Sequence, residues 1–168
     1  MKKYLNQIDI DNRNQCIDFY EFLISNCSEA KGSSNNHQNW EGGYFDHVEE
    51  IFKYAIRLYE TLTQDRDLDF SLSDALLVLF LHDIEKPIKY SKLSTQYNLT
   101  DNDLRKTLID KFGFKLTEEH NLALKYIHGE GDDYRKDKRV MSPLCAFCHC
   151  CDVISARIFF DYPERQLL

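Results

Sequence analysis

The stretch from Leu72 to Pro87, "LSDALLVLFLHDIEKP", decides how this chain folds. Its first ten residues are nearly all apolar, so a helix here has no solvent face and belongs at the centre of the molecule. Ser71 precedes it and Asp74 stands three residues later, the spacing of a capping box at a helix start. The same run then carries His82 and Asp83 to the rim of the core, an imidazole next to a carboxylate. Either the pair ends a buried helix and faces water, or it is held there to bind something. Pro87 then interrupts the helical pattern.

Outward from this helix, the periodicity stays helical. Within residues 14–27, Cys16, Phe19, Leu23 and Cys27 recur at helical spacing, and the polar run "SEAKGSSNNHQN" after them reads as a loop. From Gly43 onward, Phe45, Val48, Phe52, Ala55, Tyr59 and Leu62 form one apolar stripe, which predicts an amphipathic helix over 43–64. On the C-terminal side, Thr100 is placed to cap a helix that closes at Gly113. Thr117 opens "EEHNLALKYIH", and Pro143 stands in the first turn of a last helix that runs to residue 160. The expectation is six or seven helices and no strand: an all-α, single-domain helical bundle spanning residues 1–168. Six glycines and three prolines suit long helices, and eleven Phe with ten Tyr supply a core.

Charge and cysteine usage narrow the partners. A net charge of −7 and a pI near 5.3 disfavour general nucleic-acid binding, which needs a positive surface, while leaving room for a small, locally positive pocket. The N-terminus has no apolar run after its two lysines, and the longest such run, residues 75–81, is too short to cross a bilayer. A cytoplasmic protein without membrane contact is expected. Four of the six cysteines crowd into "CAFCHCC" (145–151). Cys145 and Cys148 form a CxxC, but on one helix and without a second ligand pair, so reduced, buried thiols are expected rather than disulfides or structural zinc.

Four side chains suit a divalent metal. His47 lies near the start of its helix beside the apolar stripe, His82 and Asp83 end the central helix, and Asp152 sits among apolar neighbours on the last. Two imidazoles and two carboxylates fit a first-row ion and leave positions for water and substrate. Taken singly, each has an ordinary reading as a hydrogen-bonded core residue; the weight comes from the combination. In that order and with these flanks, "GGYFDHV", "LFLHDIEKP" and "CDVISAR" resemble the three signature segments of HD-domain metal-dependent phosphohydrolases, and "HQNWEGGYFDH" is similar to a segment of HD proteins with an upstream histidine. The likeness reaches from about His37 to Arg157 and implies an HD-like core over about 37–160. It implies His47, His82, Asp83 and Asp152 as ligands, with Lys86 behind them or on phosphate. Glu85 departs from the family's usual glycine. In "YIHGEGDDY" only His128 matches a segment that serves a second metal or the substrate in many relatives. One divalent ion (Mn, Fe, Co, Ni, Zn or Mg) is therefore expected, with a second ion using His128 as the alternative.

The resemblance implies hydrolysis of a phosphate ester on a small, nucleotide-type substrate by a metal-activated water. Asp83, Lys86 and His128 are the candidate catalytic groups, and His37, Lys89 and Arg157 the candidate substrate contacts. Glu130 is a candidate base or part of an acidic loop, and His149 shares a helix face with Asp152. Tyr44, Trp40 and Tyr134 offer aromatic surfaces for a base or for packing. The competing readings are a 3′–5′ exonuclease-like HD protein, a cyclic-nucleotide or alarmone hydrolase, and a non-catalytic regulatory protein that binds metal or nucleotide. A homo-oligomer is compatible with the sequence.

Overall fold

The protein was analysed as a computed structural model, which describes residues 1–161. Among these residues there are helices and no strands, as the periodicity predicts. The helices are α1 (Lys2–Leu5), α2 (Ile10–Cys27), α3 (Gly43–Asp65), α4 (Leu72–Leu81), α5 (Lys86–Lys89), α6 (Asp101–Phe112), α7 (Glu118–Tyr126) and α8 (Pro143–Ile158). Six of them reach nine residues or more, while α1 and α5 are single turns of four residues. No helix among the described residues is long and apolar enough to cross a membrane.

Helix α4 is central because it has no polar face to offer water. Every residue from Ala75 to Leu81 is buried. Helices α3, α7 and α8 pack around it, and α3 and α7 each pack on α8. On the other flank Phe19 of α2 meets Phe80, Phe112 and Phe114 edge-on, with the Phe112 ring 4.8 Å away. The core also takes in Tyr4, Leu5 and Ile8, ahead of the 37–160 stretch. Helix α2 starts four residues before the predicted position 14, where the polar "DNRN" hides the period. Helix α8 stops at Ile158, two residues short of the predicted end.

The helix ends obey local chemistry. Ser71 Oγ accepts from the Asp74 N–H at 3.1 Å, and Asp74 Oδ2 accepts from the Ser71 N–H at 3.0 Å, so the predicted capping box is present. Thr117 caps α7 in the same reciprocal way, but its partner is His120: Thr117 N–H donates to His120 Nδ1 at 3.2 Å. That leaves the ring proton on Nε2, which donates to Asp74 Oδ1 at 2.9 Å. One histidine thus joins the starts of α4 and α7. Gly113 ends α6 in the left-handed region, at φ 70°.

The Gly42–Gly43 pair is also explained by backbone geometry. Gly42 has φ 78°, and a Cβ on Gly43 would stand 2.0 Å from the Gln38 carbonyl oxygen. The loop therefore presses directly on the first turn of α3, one turn before His47. The cysteines fill space: Cys16, Cys27, Cys145, Cys148 and Cys151 are buried, Cys150 is exposed, and none is disulfide-bonded. Burial pushes the Cys145 thiol up to about 11 and the Cys151 thiol up to about 12, which makes them poor thiolates.

The Asp74 carboxyl titrates below its usual range. Burial opposes this, but the bonds from Ser71 and His120 outweigh it. Its contribution to stability is then present above about pH 4 and fades as the pH falls through the lowered native value. Asp74→Ala is expected to cost about 1–2 kcal/mol, the usual worth of a helix cap, read as a lowered urea midpoint at pH 7 with unchanged slope.

Candidate metal centre

His47 is delivered by the second turn of α3, His82 and Asp83 by the C-terminal end of α4, and Asp152 by the middle of α8. All four are buried, His47 and His82 completely. His47 Nε2 lies 3.3 Å from His82 Nε2 and 3.3 Å from Asp152 Oδ1. His82 Nε2 lies 3.1 Å from Asp83 Oδ2 and 3.6 Å from Asp152 Oδ1. With metal–ligand bonds of about 2.1 Å, neighbouring ligands of one ion stand about 3.0 Å apart in an octahedron and about 3.4 Å apart in a tetrahedron. Three of these separations lie within about 0.1 Å of one of those edges, and the 3.6 Å from His82 to Asp152 is somewhat longer.

The far side of each ring is fastened. His82 Nδ1 donates to the Leu79 carbonyl at 2.7 Å, which turns the Nε2 lone pair inward. His47 Nδ1 is 3.0 Å from Ser155 Oγ. Both oxygens of Asp83 are buried, and neither accepts a hydrogen bond. The Lys86 ammonium makes an ion pair with Oδ2 at 2.5 Å. Burying a carboxylate whose Oδ2 meets only the Lys86 ammonium and the His82 ring, and whose Oδ1 has no close donor, is costly, and a cation among two imidazoles and a second carboxylate would offset that cost. The donor set, neutral nitrogens with carboxylates and no thiolate, suits a divalent first-row ion or Mg²⁺. His47, His82 and Asp83 form one group that could hold an ion; His82, His128 and Asp152 form another, sharing His82.

Without a cation, a proton serves in its place. Burial keeps the His47 imidazole neutral, lowered to about 4. Burial would lower His82 as well, but Asp83 and Asp152 outweigh it and push the imidazole up to about 10. Burial opposes the ionisation of Asp83 and Asp152, yet the facing histidines, with Lys86 beside Asp83, hold both well below the usual carboxylate range.

The centre opens into a cavity of about 710 Å³, lined among others by His37, His128, His149, Asp152, Arg157 and Phe160. His128, just beyond the end of α7, is half-exposed, with Nε2 3.5 Å from Asp83 Oδ1 and 3.9 Å from Asp152 Oδ2. The His37 ring centroid lies 5.2 Å from that of His47, and its Nδ1 contacts Gln38 Oε1 at 2.6 Å. His37 and His128 are both lowered, chiefly by burial. His149 Nδ1 donates to the Ile127 carbonyl at 2.5 Å, fixing the turn that leads to His128.

Several expectations need correction. Lys89 is not brought to the cavity: it is exposed and its ammonium pairs with Asp101 at 2.7 Å, on the side facing α6. Glu85, at the position of the family's usual glycine, is buried in a bidentate pair with Arg105, at 3.0 and 3.1 Å. Glu130 Oε1 accepts from the Met141 N–H at 3.1 Å and so ties down a loop. Tyr44 is buried packing, and Trp40 Nε1 donates to Asp46 at 2.8 Å. Tyr134 is exposed, and the aromatic ring that lines the cavity is Phe160. Gln38, Glu50 and Ser155 also belong to this centre, although residue type alone does not single them out. Glu50 stands three residues after His47 and Ser155 three after Asp152, so helical spacing from the candidate ligands could flag both.

No family model, curated protein or solved structure matches this chain.

Asp83→Asn keeps the shape and removes the charge. It is expected to abolish stoichiometric Mn²⁺ binding in calorimetry while circular dichroism shows the helices intact; undiminished binding would remove Asp83 from the centre. The pH dependence has a definite sign. A native value of about 10 for His82 means that the charged ring stabilises the metal-free fold fully below about pH 6.5, and that this is lost as the pH rises through about 10. Near neutrality, uptake of one divalent ion should release about one proton, and apparent affinity should climb about tenfold per pH unit. Calorimetry in buffers of different ionisation heat counts that proton.

Proposed function

We propose that the protein is a metal-dependent phosphohydrolase of the HD type, cleaving a phosphate ester of a small nucleotide-like substrate. The observation that supports this reading most is the pairing of two features: a buried His47–His82–Asp83–Asp152 cluster in which the Asp83 oxygens make no hydrogen bond beyond their ionic contacts, and a polar cavity that opens from it beside Arg157. The cavity volume, about 710 Å³, lies in the range that encloses small organic ligands.

His47, His82, Asp83 and Asp152 would hold the ion, which when bound supplies Lewis acidity to a phosphoryl oxygen and lowers the pKa of a water. The chain's own groups do the rest. Lys86, ion-paired with Asp83, keeps that carboxylate turned toward the ligand cluster. Arg157 stands at the cavity wall, where a guanidinium binds phosphate oxygens in pairs and neutralises charge as it shifts to the leaving group. His128 is half-exposed and kept neutral, so its Nε2 can take a proton from a water aligned against the ester. His37 also lines the cavity, and Phe160 offers an apolar face for a base or sugar. Catalysis in this reading is mostly placement plus charge stabilisation, as phosphoryl transfer requires.

The test is release of inorganic phosphate from a panel of nucleoside mono-, di- and triphosphates with Mn²⁺, alongside a labelled single-stranded oligonucleotide. Phosphate release from mononucleotides is expected; shortening of the oligonucleotide alone would favour an exonuclease. Nucleotide binding with no turnover of any phosphate ester would make the protein a binding module. Arg157→Ala is expected to raise KM about 10- to 100-fold, the worth of a charge-assisted contact, with Mn²⁺ binding unchanged.

A further inference from the structure

A chain of hydrogen bonds runs away from the candidate metal centre to the surface of α3. His47 Nδ1 lies 3.0 Å from Ser155 Oγ, and Ser155 Oγ donates to Glu50 Oε2 at 2.7 Å. The Gln38 carboxamide seals it from above. Its Nε2 is 3.1 Å from Ser155 Oγ, 3.1 Å from Glu50 Oε2 and 2.9 Å from the Phe159 carbonyl. Ser155 and Gln38 are fully buried; Glu50 is half-buried. Gln38 holds this place at φ 43°, an unusual conformation for a residue with a side chain.

The outer end of this chain sets the direction of every proton in it. An ionised carboxylate only accepts, so the Ser155 hydroxyl must spend its single proton on Glu50. Its lone pairs then face His47 and Gln38, and His47 must present Nδ1 as N–H. A neutral imidazole with its proton on Nδ1 has its lone pair on Nε2, the atom that faces His82 and Asp152. The Gln38 amide is set in the same way. Its NH₂ faces four acceptors, so its oxygen is left to accept from His37 Nδ1, and His37 also keeps a free Nε2.

We propose that Glu50 is a positioning residue for the metal centre: acting through Ser155, it fixes the His47 tautomer whose Nε2 can ligate a cation. The inference rests on the metal-centre reading but not on any particular substrate. Without the carboxylate, the Ser155 hydroxyl is free to turn and donate to His47 Nδ1. The ring proton then moves to Nε2, and the ligand atom becomes a donor.

The experiment has two readouts on the full chain. Long-range ¹H–¹⁵N spectra of the metal-free protein report which nitrogen of His47 carries the proton. Calorimetry with Mn²⁺ reports affinity. Wild-type protein should show His47 protonated on Nδ1. Glu50→Ala and Ser155→Ala should each populate the Nε2–H form and weaken Mn²⁺ binding about 10- to 100-fold, the usual scale for groups that orient a ligating histidine. Glu50→Gln, which can still offer an amide oxygen to Ser155, should stay close to wild type in both. An unchanged His47 tautomer, or an unchanged Mn²⁺ affinity, in Glu50→Ala would overturn the proposal. Failure of the metal-centre reading is told apart, because wild-type protein would then take up no Mn²⁺ before any substitution is made.

Discussion

Asp83 imposes the constraint around which the molecule is arranged. A carboxylate at the end of an apolar helix, with neither oxygen accepting a hydrogen bond, costs several kcal/mol unless positive charge is close by. Everything near it supplies that charge or a place for it: the Lys86 ammonium, the His82 imidazole, and the space among His47, Asp152 and His82 where a proton or a divalent ion can sit. The surrounding apolar packing makes the requirement stringent. Helix α4 has no wet face, so Asp83 has no route to solvent by a small rotation of the helix.

The three helices that meet there are held by different forces. Helix α3 is placed by a broad apolar stripe and by the close approach of Gly43 to the Gln38 carbonyl. Helix α8 is placed by small buried side chains, Cys145, Cys148 and Cys151, which let it lie near α4 and α7. The segment after Asp83 is anchored by the buried Glu85–Arg105 pair, which reaches across to α6. A flexible glycine at that position would leave Lys86 on a looser backbone; here a bidentate ion pair stiffens it.

Much of the fold was legible because it rests on periodicity and caps. The apolar run 72–81, the stripe of α3, Ser71 with Asp74, Thr100, Gly113, Thr117 and Pro143 all act locally, and local chemistry survives folding. The start of α2 was not legible, because its first turn is polar and owes its shape to burial of Ile8 and Asn12 against the rest. At the site, the four side chains that could hold an ion were named from residue type, order and flanking segments, and the fold brings them together. Lys89 could not be placed, because three residues along a single-turn helix is enough to swing its ammonium round to Asp101. Glu50, Ser155 and Gln38 were missed for another reason. Helical spacing from His47 and Asp152 could flag Glu50 and Ser155 as neighbours, but the hydrogen bonds that join them, and Gln38 to both, link residues more than a hundred positions apart or across a loop.

The His120–Asp74 clasp has a geometric corollary. It ties together the starting points of α4 and α7, which pack against each other. Eleven positions separate Ser71 from His82, and eleven separate Thr117 from His128. Two struts of equal span thus rise from one joint, each climbing roughly 16 Å at 1.5 Å per residue, and set their terminal imidazoles at the same level. The two rings end 5.6 Å apart. A single residue added to either strut would lift one ring by about 1.5 Å and swing it by about 100°, so the matched lengths work as a gauge that neither helix can change alone.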